Sequence, residues 1–245
     1  MLISVKAHVT DAIEFLDRVH HRHIPFASIY AATLTAREVK EREVDVMQRV
    51  FDRPTPYVLN ALRVKPATFQ DNTATVEFKD FAGKGTPAKR FINPNVHGGG
   101  RAQKSHELKL MGLTHSAFMI PGRDLPRDGY GNVRGSVFAR ILSQLKVSSD
   151  ATQHASGSKR SKGRRKADAY FVSKRGFVLN RKTTGRGKGK SDQLSVVMAP
   201  IKAPHYQKRF PFYETGEAVV ADRFPANFVT ALERAISTSN RRGKW

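Results

Sequence analysis

The feature that most constrains the fold is a long helical stretch, residues 25–51, that ends at a pair of prolines. Proline suits the first turn of a helix, so Pro25 marks its beginning. Apolar residues then recur near one face at helical spacing, and they are Phe26, Ile29, Ala36, Val39, Met47 and Val50. The sequence Asp-Arg-Pro-Thr-Pro at residues 52–56 stops the helix, because proline lacks an N–H group and disfavours helix at the preceding residue.

Shorter elements of both kinds are predicted around this helix. Alternating apolar residues predict a strand over residues 2–9, and Asp11 with Glu14 indicates a capping box that opens a helix to about His21. Residues 57–66 and 73–79 predict an antiparallel pair. The remaining predicted elements are a loop at 93–101, a helix at 102–110 that Gly112 ends, a turn-rich loop at 121–132, an amphipathic helix through 137–145, a hairpin of 169–172 and 177–180, a strand at 194–198 and a helix at 225–237.

These elements together predict an α+β fold, with a mostly antiparallel sheet, one long N-terminal helix and several shorter helices. We expect a single domain made of three segments. Residues 1–147 form an N-terminal α+β part, residues 148–191 form basic flexible arms with a hairpin between them, and residues 192–245 add the strand and helix that complete the domain. The arms are predicted at 148–166 and 183–191, which are polar or basic and low in complexity.

Positive charge is concentrated in one part of the chain. The 43 Lys and Arg residues against 21 acids give a net charge of +22. Residues 157–190 carry a net +12, because Asp168 is their only acid and their basic residues are Lys159, Arg160, Lys162, Arg164, Arg165, Lys166, Lys174, Arg175, Arg181, Lys182, Arg186, Lys188 and Lys190. Such a field favours nucleic acid, an anionic membrane surface or an acidic protein. These thirteen residues are the predicted contact with a polyanion or a partner.

Aromatic residues in the predicted hairpin allow two interpretations. Tyr170, Phe171 and Phe177 lie among the basic residues, and aromatic rings beside cations grip single-stranded nucleic acid by stacking on its bases. Alternatively, the rings face the core of the domain while the charges face solvent. Both interpretations fit the sequence.

Composition and motif spacing exclude several classes of function. The absence of cysteine excludes disulfides, iron–sulfur clusters and Cys-ligated zinc. No apolar run reaches the ~20 residues of a membrane span, and the N-terminus alternates instead of forming a signal peptide, so we expect the chain to be made in a cytoplasm. Residues 185–191, "GRGKGKS", end like a phosphate-binding loop, but the first glycine is one residue late and a predicted strand follows Ser191.

The other motifs are weaker still. His20, His21 and His23 cluster at a helix junction without a third ligand at metal-binding spacing. The sequence "HGGGR" at residues 97–101 resembles a lipase oxyanion loop, but the chain has no Gly-x-Ser-x-Gly elbow. Asp124 and Asp128 lie among turn residues and are expected to form Asx-turns. The sequence therefore predicts no catalytic, metal or cofactor site.

Four segments of the chain share a recognisable pattern of helices, breaks and turns. Residues 22–68 contain the small-residue long helix, the "FDRPTP" break and a basic strand. Residues 92–113 contain "INPNVHGGGRAQKSHELKLMGL", and residues 118–145 place "PG" and "DGYGN" before an amphipathic helix. Residues 206–236 begin "YQKRFPFYE". The segments cover most of the chain, and in this order they resemble the phage minor tail protein Z, or tail completion, family.

The resemblance implies a non-enzymatic virion protein that acts in tail completion or head–tail joining, made in the host cytoplasm. Its implied partners are copies of itself in a ring, neighbouring tail, neck or portal-adaptor proteins, and DNA in the channel, with no membrane. The long basic insertion departs from the shorter proteins of that family. An alternative function is non-specific binding of nucleic acid by residues 157–190.

Overall fold

The computed structural model describes residues 9–83, 85–185 and 189–242. It confirms an α+β protein with antiparallel sheets and one long N-terminal helix. The helices are α1 (Val9–Arg18), α2 (Ile24–Val50), α3 (Pro56–Leu59), α4 (Ala88–His97), α5 (Ser105–Thr114), α6 (Gly135–Gln144), α7 (Lys159–Ala167) and α8 (Phe212–Arg242). The strands are β1 (Leu62–Lys65), β2 (Thr75–Phe78), β3 (Gly99–Gly100), β4 (Phe118–Pro121), β5 (Asp168–Val172), β6 (Val178–Thr184), β7 (Ser191–Ile201) and β8 (His205–Tyr206).

The chain divides into two compact units, residues 1–96 with 208–245 and residues 97–207. We call them the helical unit and the sheet unit. Their boundaries do not coincide with the three segments expected from the sequence, because β7 completes a sheet with β4–β6 whereas α8 packs on α2.

The helical unit is built on α2 and α8. Ala27 and Ala31 of α2 and Ala231 of α8 are fully buried, and these small side chains let the two helices approach closely. Asn227 donates hydrogen bonds from its side chain to Thr35 Oγ1 at 3.0 Å and to Glu38 Oε2 at 3.1 Å. The long helix predicted over residues 25–51 is confirmed within one residue at each end, since α2 spans Ile24–Val50, and Pro25 lies in its first turn.

A second cluster in the helical unit fills the space around the end of α2. Its buried members are Met47, Ala61, Leu62, Phe78, Ala88, Ile92, Val96 and Phe210. Strands β1 and β2 pair antiparallel beneath it, as predicted, with Leu62 opposite Phe78. The strand predicted over residues 57–66 begins only at Leu62, because Thr55 accepts a hydrogen bond from Val58 N–H and caps the helical turn α3 that precedes it.

Helices α4 and α8 each contain a proline in their interior, although the sequence predicted a loop around the first proline and a helix beginning at the second. Pro94 lies inside α4, in the segment expected to be a loop, and Pro225 lies inside α8, which begins thirteen residues before the expected start. Both predictions were wrong because buried neighbours hold the backbone: Ile92 and Val96 flank Pro94 in the core, and Phe224 and Phe228 pack on the cluster that joins α2 to α8.

The N-terminal predictions have different outcomes. Residues 2–8 of the predicted strand lie outside the described residues, and Val9 begins α1. The predicted helix is present, but it ends at Arg18 and continues as a π-helical turn over Val19–His23 into α2.

The sheet unit contains a four-stranded antiparallel sheet in the order β4-β7-β6-β5. The predicted hairpin of β5 and β6 is confirmed, with Tyr170 opposite Asn180. A bulge near Val197 places both Val197 and Met198 in the core with Leu110, Met119, Ile141, Leu142 and Val178. Helix α6 was also predicted correctly, and Ile141 and Leu142 are the part of its apolar stripe that is buried.

Gly112 does not end α5, since the helix continues to Thr114 and ends where His115 adopts the left-handed conformation (φ 52°). The following strand, β4, runs antiparallel to β7 with Ile120 opposite Ala199.

Parts of both predicted arms form regular secondary structure, so their assignment as loops was wrong for those residues. Residues 151–153 form a 3-10 turn and α7 lies against β5 and β6. In the second arm, β6 extends to Thr184 and β7 begins at Ser191. Thr183 Oγ1 donates to Asp192 Oδ1 at 2.5 Å across this hairpin, which polar composition alone did not indicate.

Candidate polyanion and partner interface

The structure distributes the thirteen predicted contact residues over three places in the sheet unit. Helix α7 contains Lys159, Arg160, Lys162, Arg164, Arg165 and Lys166; the turn between β5 and β6 contains Lys174 and Arg175; and β6 with the residues before β7 contains Arg181, Lys182 and Lys190. Arg186 and Lys188 lie outside the described residues. The cations therefore lie at separate sites around one hairpin.

The basic residues with a described side chain are exposed and lack acidic partners. They are Lys159, Arg160, Lys162, Lys174, Arg175, Arg181, Lys182 and Lys190. No ion pair joins any of these eight to an acid within the part of the chain that the structure describes. Their charge is thus available to an external anion.

Asp168, the single acid of the segment, is occupied by other groups. Its Oδ2 atom lies 3.2 Å from Arg140 Nη1, and its Oδ1 atom accepts a hydrogen bond of 2.5 Å from the side-chain amide of Asn180. Arg140 belongs to α6, so the acid links the sheet to that helix. It leaves the neighbouring cations uncompensated.

The three hairpin aromatics divide between the two interpretations. Tyr170 packs against the core cluster of the sheet unit, and burial followed by the charge of Asp168 raises the pKa of its phenol. Phe177 is half-buried, whereas Phe171 is 38% exposed on the opposite face of the sheet. For Tyr170 the core interpretation is therefore correct, and only Phe171 presents a largely open ring.

The face of the sheet that carries Phe171 presents several apolar side chains to solvent, beside the exposed Arg181 opposite Leu194. We call it the outer sheet face and define it as Ile120, Phe171, Leu179, Leu194 and Val196. Across the strands Phe171 lies opposite Leu179, which lies opposite Val196. Ile120 is 47%, Leu194 is 61% and Val196 is 40% exposed. Apolar side chains on the solvent side of a sheet are unusual, because antiparallel sheets normally alternate apolar-in and polar-out.

Both edges of the same sheet are blocked by helix side chains. At the β5 edge, the amide of Gln144 accepts from Tyr170 N–H and donates to Asp168 O, both at 3.0 Å. At the β4 edge, Glu107 Oε1 accepts from Met119 N–H at 3.1 Å. Because these groups occupy backbone positions that an added strand would use, the edges are protected against strand addition there. The outer sheet face is left as the open surface of the sheet.

Glu107 is itself part of a buried ion pair. Its side chain is fully buried, and Arg101 donates to both carboxylate oxygens, at 2.7 and 2.5 Å. The N–H of Lys104 adds a bond of 2.7 Å. Desolvation acts to raise the pKa of Glu107, but the bonds from Arg101 and from two backbone N–H groups outweigh it and lower the pKa to about 2. The pair fixes the position of α5 beside β4.

A cavity of about 460 Å³ lies at one end of the sheet. Three segments line it: Thr114–Ser116 after α5, Lys174–Gly176 in the turn between β5 and β6, and Pro200–Lys202 at the end of β7. Its ionisable lining side chains are His115, Lys174, Arg175 and Lys202, and none of them is acidic. The sequence prediction included Lys174 and Arg175 but missed His115 and Lys202, which are distant in the chain.

The walls of this cavity are held by close backbone contacts. A Cβ atom on Gly176 would lie 2.2 Å from the carbonyl oxygen of Thr114, and the φ of Gly176 is +80°, so only glycine fits there. Ser116 Oγ lies 2.9 Å from the carbonyl oxygen of Phe118 and 3.4 Å from that of Ile201. The three segments are therefore fixed relative to one another.

The structure also places several of the remaining sequence motifs. Asp128 Oδ1 accepts from Tyr130 N–H and Asn132 N–H, which confirms the predicted Asx-turn. His21 pairs with Asp17 at 3.3 Å within its own helix. Ser191 begins β7, so a strand follows the sequence Gly-Lys-Ser, as predicted, where a phosphate-binding loop would lead into a helix. The loop glycines Gly98 and Gly99 have positive φ, as a tight loop before α5 requires.

Every helix within residues 9–83, 85–185 and 189–242 is too short or too polar to cross a bilayer. Over the same ranges, no three His, Cys, Asp or Glu side chains lie together in a way that could hold a metal ion.

Comparison of the chain with protein-family models, with curated protein sequences and with solved structures found no match.

Proposed function

We propose that this chain is a structural, non-enzymatic protein of a bacteriophage virion that acts in tail completion or head–tail joining, as a ring at the tail end or neck. The resemblance of residues 22–68, 92–113, 118–145 and 206–236 to tail completion proteins supports this role. We assign no catalytic residue and no cofactor.

The outer sheet face is the observation that carries the proposal. Soluble monomers rarely expose a contiguous apolar patch of this kind without using it for an interaction. Since Gln144 and Glu107 block the sheet edges, a partner would pack on the face instead of adding a strand. Subunits of a ring need such self-complementary or partner-complementary faces.

Charge bears on the identity of the partners. Copies of a chain with a net charge of +22 repel one another unless an anion lies between them. We therefore expect copies of this protein to assemble beside an acidic surface of a tail, neck or portal-adaptor protein, or around DNA in the channel. The location would be the virion, after synthesis in the host cytoplasm.

A second candidate function is non-specific binding of nucleic acid. The observation that favours it is the set of eight exposed cations without acidic partners among the described residues, beside the open ring of Phe171. Binding by such a surface falls steeply as salt rises, because each phosphate contact releases counterions.

Deleting the gene from the phage or prophage that carries it tests the proposed function. Electron microscopy of the lysate is expected to show unjoined heads and tails, or tails of abnormal length, and complementation with the wild-type gene restores particles. Normal infectious particles from the deletion would disprove the virion role and favour the second candidate.

A matched pair of variants tests the outer sheet face within the same experiment. Leu194 lies on this face and is 61% exposed, whereas Leu108 lies on α5 and is 53% exposed. We expect Leu194→Glu to abolish complementation, because it places a charge on the outer sheet face. Leu108→Glu adds the same charge away from that face, so we expect it to preserve complementation. Equal behaviour of the two variants would remove the outer sheet face from the proposed interface.

A further inference from the structure

The cavity at the end of the sheet combines a defined volume with charge of one sign. Lys174, Arg175 and Lys202 are all exposed and line it, and His115 adds a fourth basic group. None of the four forms an ion pair within the part of the chain that the structure describes. A concave site of this kind is a place where an anion would be held by several donors at once.

We propose that this cavity binds a phosphate group, either free or in the backbone of a nucleic acid. The planar guanidinium of Arg175 offers paired N–H donors that match two phosphate oxygens, and Lys174 and Lys202 supply compact charges beside it. Three permanent cations around one cavity match the charge and oxygen count of a phosphate better than those of a single carboxylate.

The dimensions agree with a ligand larger than a small ion. About 460 Å³ lies within the range of sites that hold small organic ligands, roughly 300–1,000 Å³. The cavity therefore has room for a phosphate together with the sugar to which it is attached.

Close backbone contacts hold the walls of the cavity in place. The contact of Gly176 with the Thr114 carbonyl fixes the turn that carries Lys174 and Arg175. The position of Ser116 Oγ between the carbonyls of Phe118 and Ile201 fixes the segment that precedes Lys202. Because the backbone that carries these cations is already ordered, binding has less conformational entropy to overcome.

His115 adds its side chain to the lining because α5 ends there: its left-handed backbone (φ 52°) caps the helix, and its N–H bonds to the carbonyl oxygen of Met111. The phosphate site goes beyond the proposed virion role and does not depend on it.

Two triple variants with equal loss of charge test the site. The cavity variant is Lys174→Gln with Arg175→Gln and Lys202→Gln. The control variant is Arg42→Gln with Lys89→Gln and Arg90→Gln, whose exposed residues lie on α2 and α4, outside the cavity lining and outside the predicted contact residues. Both proteins are studied as the full chain, and circular dichroism verifies that each retains the fold of the wild type.

The probes distinguish the source of the phosphate. Calorimetry measures the affinity for inorganic phosphate. Fluorescence anisotropy measures the affinities for a short single-stranded oligothymidylate and for a polyglutamate peptide of equal charge, and all measurements use one ionic strength. We expect the cavity variant to lose at least about tenfold in affinity for phosphate or oligothymidylate and the control variant to lose less than about threefold. A loss for inorganic phosphate indicates a free ligand, and a loss confined to the oligothymidylate indicates a backbone phosphate.

Three results would overturn the proposal. One is an equal loss in both variants, which would show that net charge alone governs binding. Another is polyglutamate binding as tight as that of the oligothymidylate, since the site would then serve a carboxylate partner. The third is the absence of binding of phosphate and oligothymidylate to the wild type. The gene-deletion phenotype is independent of all three, so failure of either proposal is recognised separately.

Discussion

Glu43 of the helical unit and Glu107 of the sheet unit are both fully buried, yet their surroundings give them opposite charge states. Neither carboxylate oxygen of Glu43 has a hydrogen-bond partner among the described residues. Desolvation, followed by the nearby charge of Glu214, raises the pKa of Glu43 to about 8. Glu107, with Arg101 and two backbone N–H donors, has a pKa of about 2. Burial by itself does not decide whether an acid is ionised; the donors around it do.

The comparison also separates two structural roles. The charged Glu107 links α5 to β4 through Arg101 and Met119 N–H. The neutral Glu43 lies on the buried face of α2 with Val39 and Met47 and bonds to none of the described residues. We therefore expect replacement of the first to be costly and replacement of the second to be tolerated.

The largest expected effect is that of Glu107→Gln. The amide leaves the guanidinium of Arg101, whose side chain is only 10% exposed, without its counter-charge. Removing one partner of a buried pair costs about 3–5 kcal/mol. Urea denaturation measures the free energy of unfolding. Glu77→Gln is the control, because its pairs with Arg63 and Lys65 are more exposed and screened by solvent, so we expect it to cost far less than Glu107→Gln.

The dependence of stability on pH gives the next largest effect. Above pH 4.5 the carboxyl of residue 43 ionises in the unfolded chain, whereas in the folded protein it keeps its proton to about pH 8. The unfolded state then binds fewer protons, so stability falls as pH rises across this window, by at most about 1.4 kcal/mol per unit. Glu107 acts oppositely: its contribution is present above pH 4.5 and is lost as pH falls towards about 2.

Thermal unfolding of the wild type and of Glu43→Gln between about pH 5.5 and about pH 7.5 measures the contribution of residue 43. The difference between the free energies of unfolding of the two proteins should change by up to about 3 kcal/mol over this range. A difference that is constant with pH would show that Glu43 is ionised in the folded protein and would remove the contrast with Glu107.

A smaller effect, an increase in the free energy of unfolding, is expected from Glu43→Met at neutral pH. Methionine is similar in length and has no polar group to leave unsatisfied, whereas a buried carboxyl without a partner costs about 1–3 kcal/mol. We expect the variant to be more stable than the wild type by about that amount in urea denaturation. A destabilised Glu43→Met would mean that this carboxyl has a stabilising role in the helical unit.

The smallest expected effect is that of Glu214→Gln. Its charge adds to the raised pKa of Glu43, so its removal should lower the pH at which Glu43 titrates, by less than about one unit. Lys208→Gln is the matched control, because it removes the other member of the exposed Lys208–Glu214 pair. The two variants should shift the titration midpoint in opposite directions, as read from the stability profiles. Shifts in the same direction would assign the effect to loss of the pair.

The strongest local patterns in the sequence predicted the corresponding elements well. The helix over residues 25–51, the turn at residues 173–176 and the amphipathic helix α6 depend on spacing and turn chemistry within a few residues. The beginnings of α4 and α8 were predicted less well, because each helix starts before its internal proline, Pro94 or Pro225. The helical conformation around these prolines depends on packing partners that are distant in the chain.

The candidate sites show the same division. The sequence identified Lys174 and Arg175 as contact residues from their charge, but His115 and Lys202 join them only because α5, the β5–β6 turn and β7 end at one place. The outer sheet face was not predicted, since the exposure of Leu194 and Val196 depends on which face of the sheet the core covers.

By itself, the sequence determined the α+β class, the long N-terminal helix, the central hairpin and the concentration of positive charge, because these follow from local periodicity, turn residues and composition. Only the tertiary structure decided that Glu43 is neutral and Glu107 charged, that parts of the predicted arms are regular elements, and that three distant segments line one basic cavity. The physical reason is that desolvation, hydrogen bonding and cavity formation depend on groups that meet in space without being neighbours in the chain.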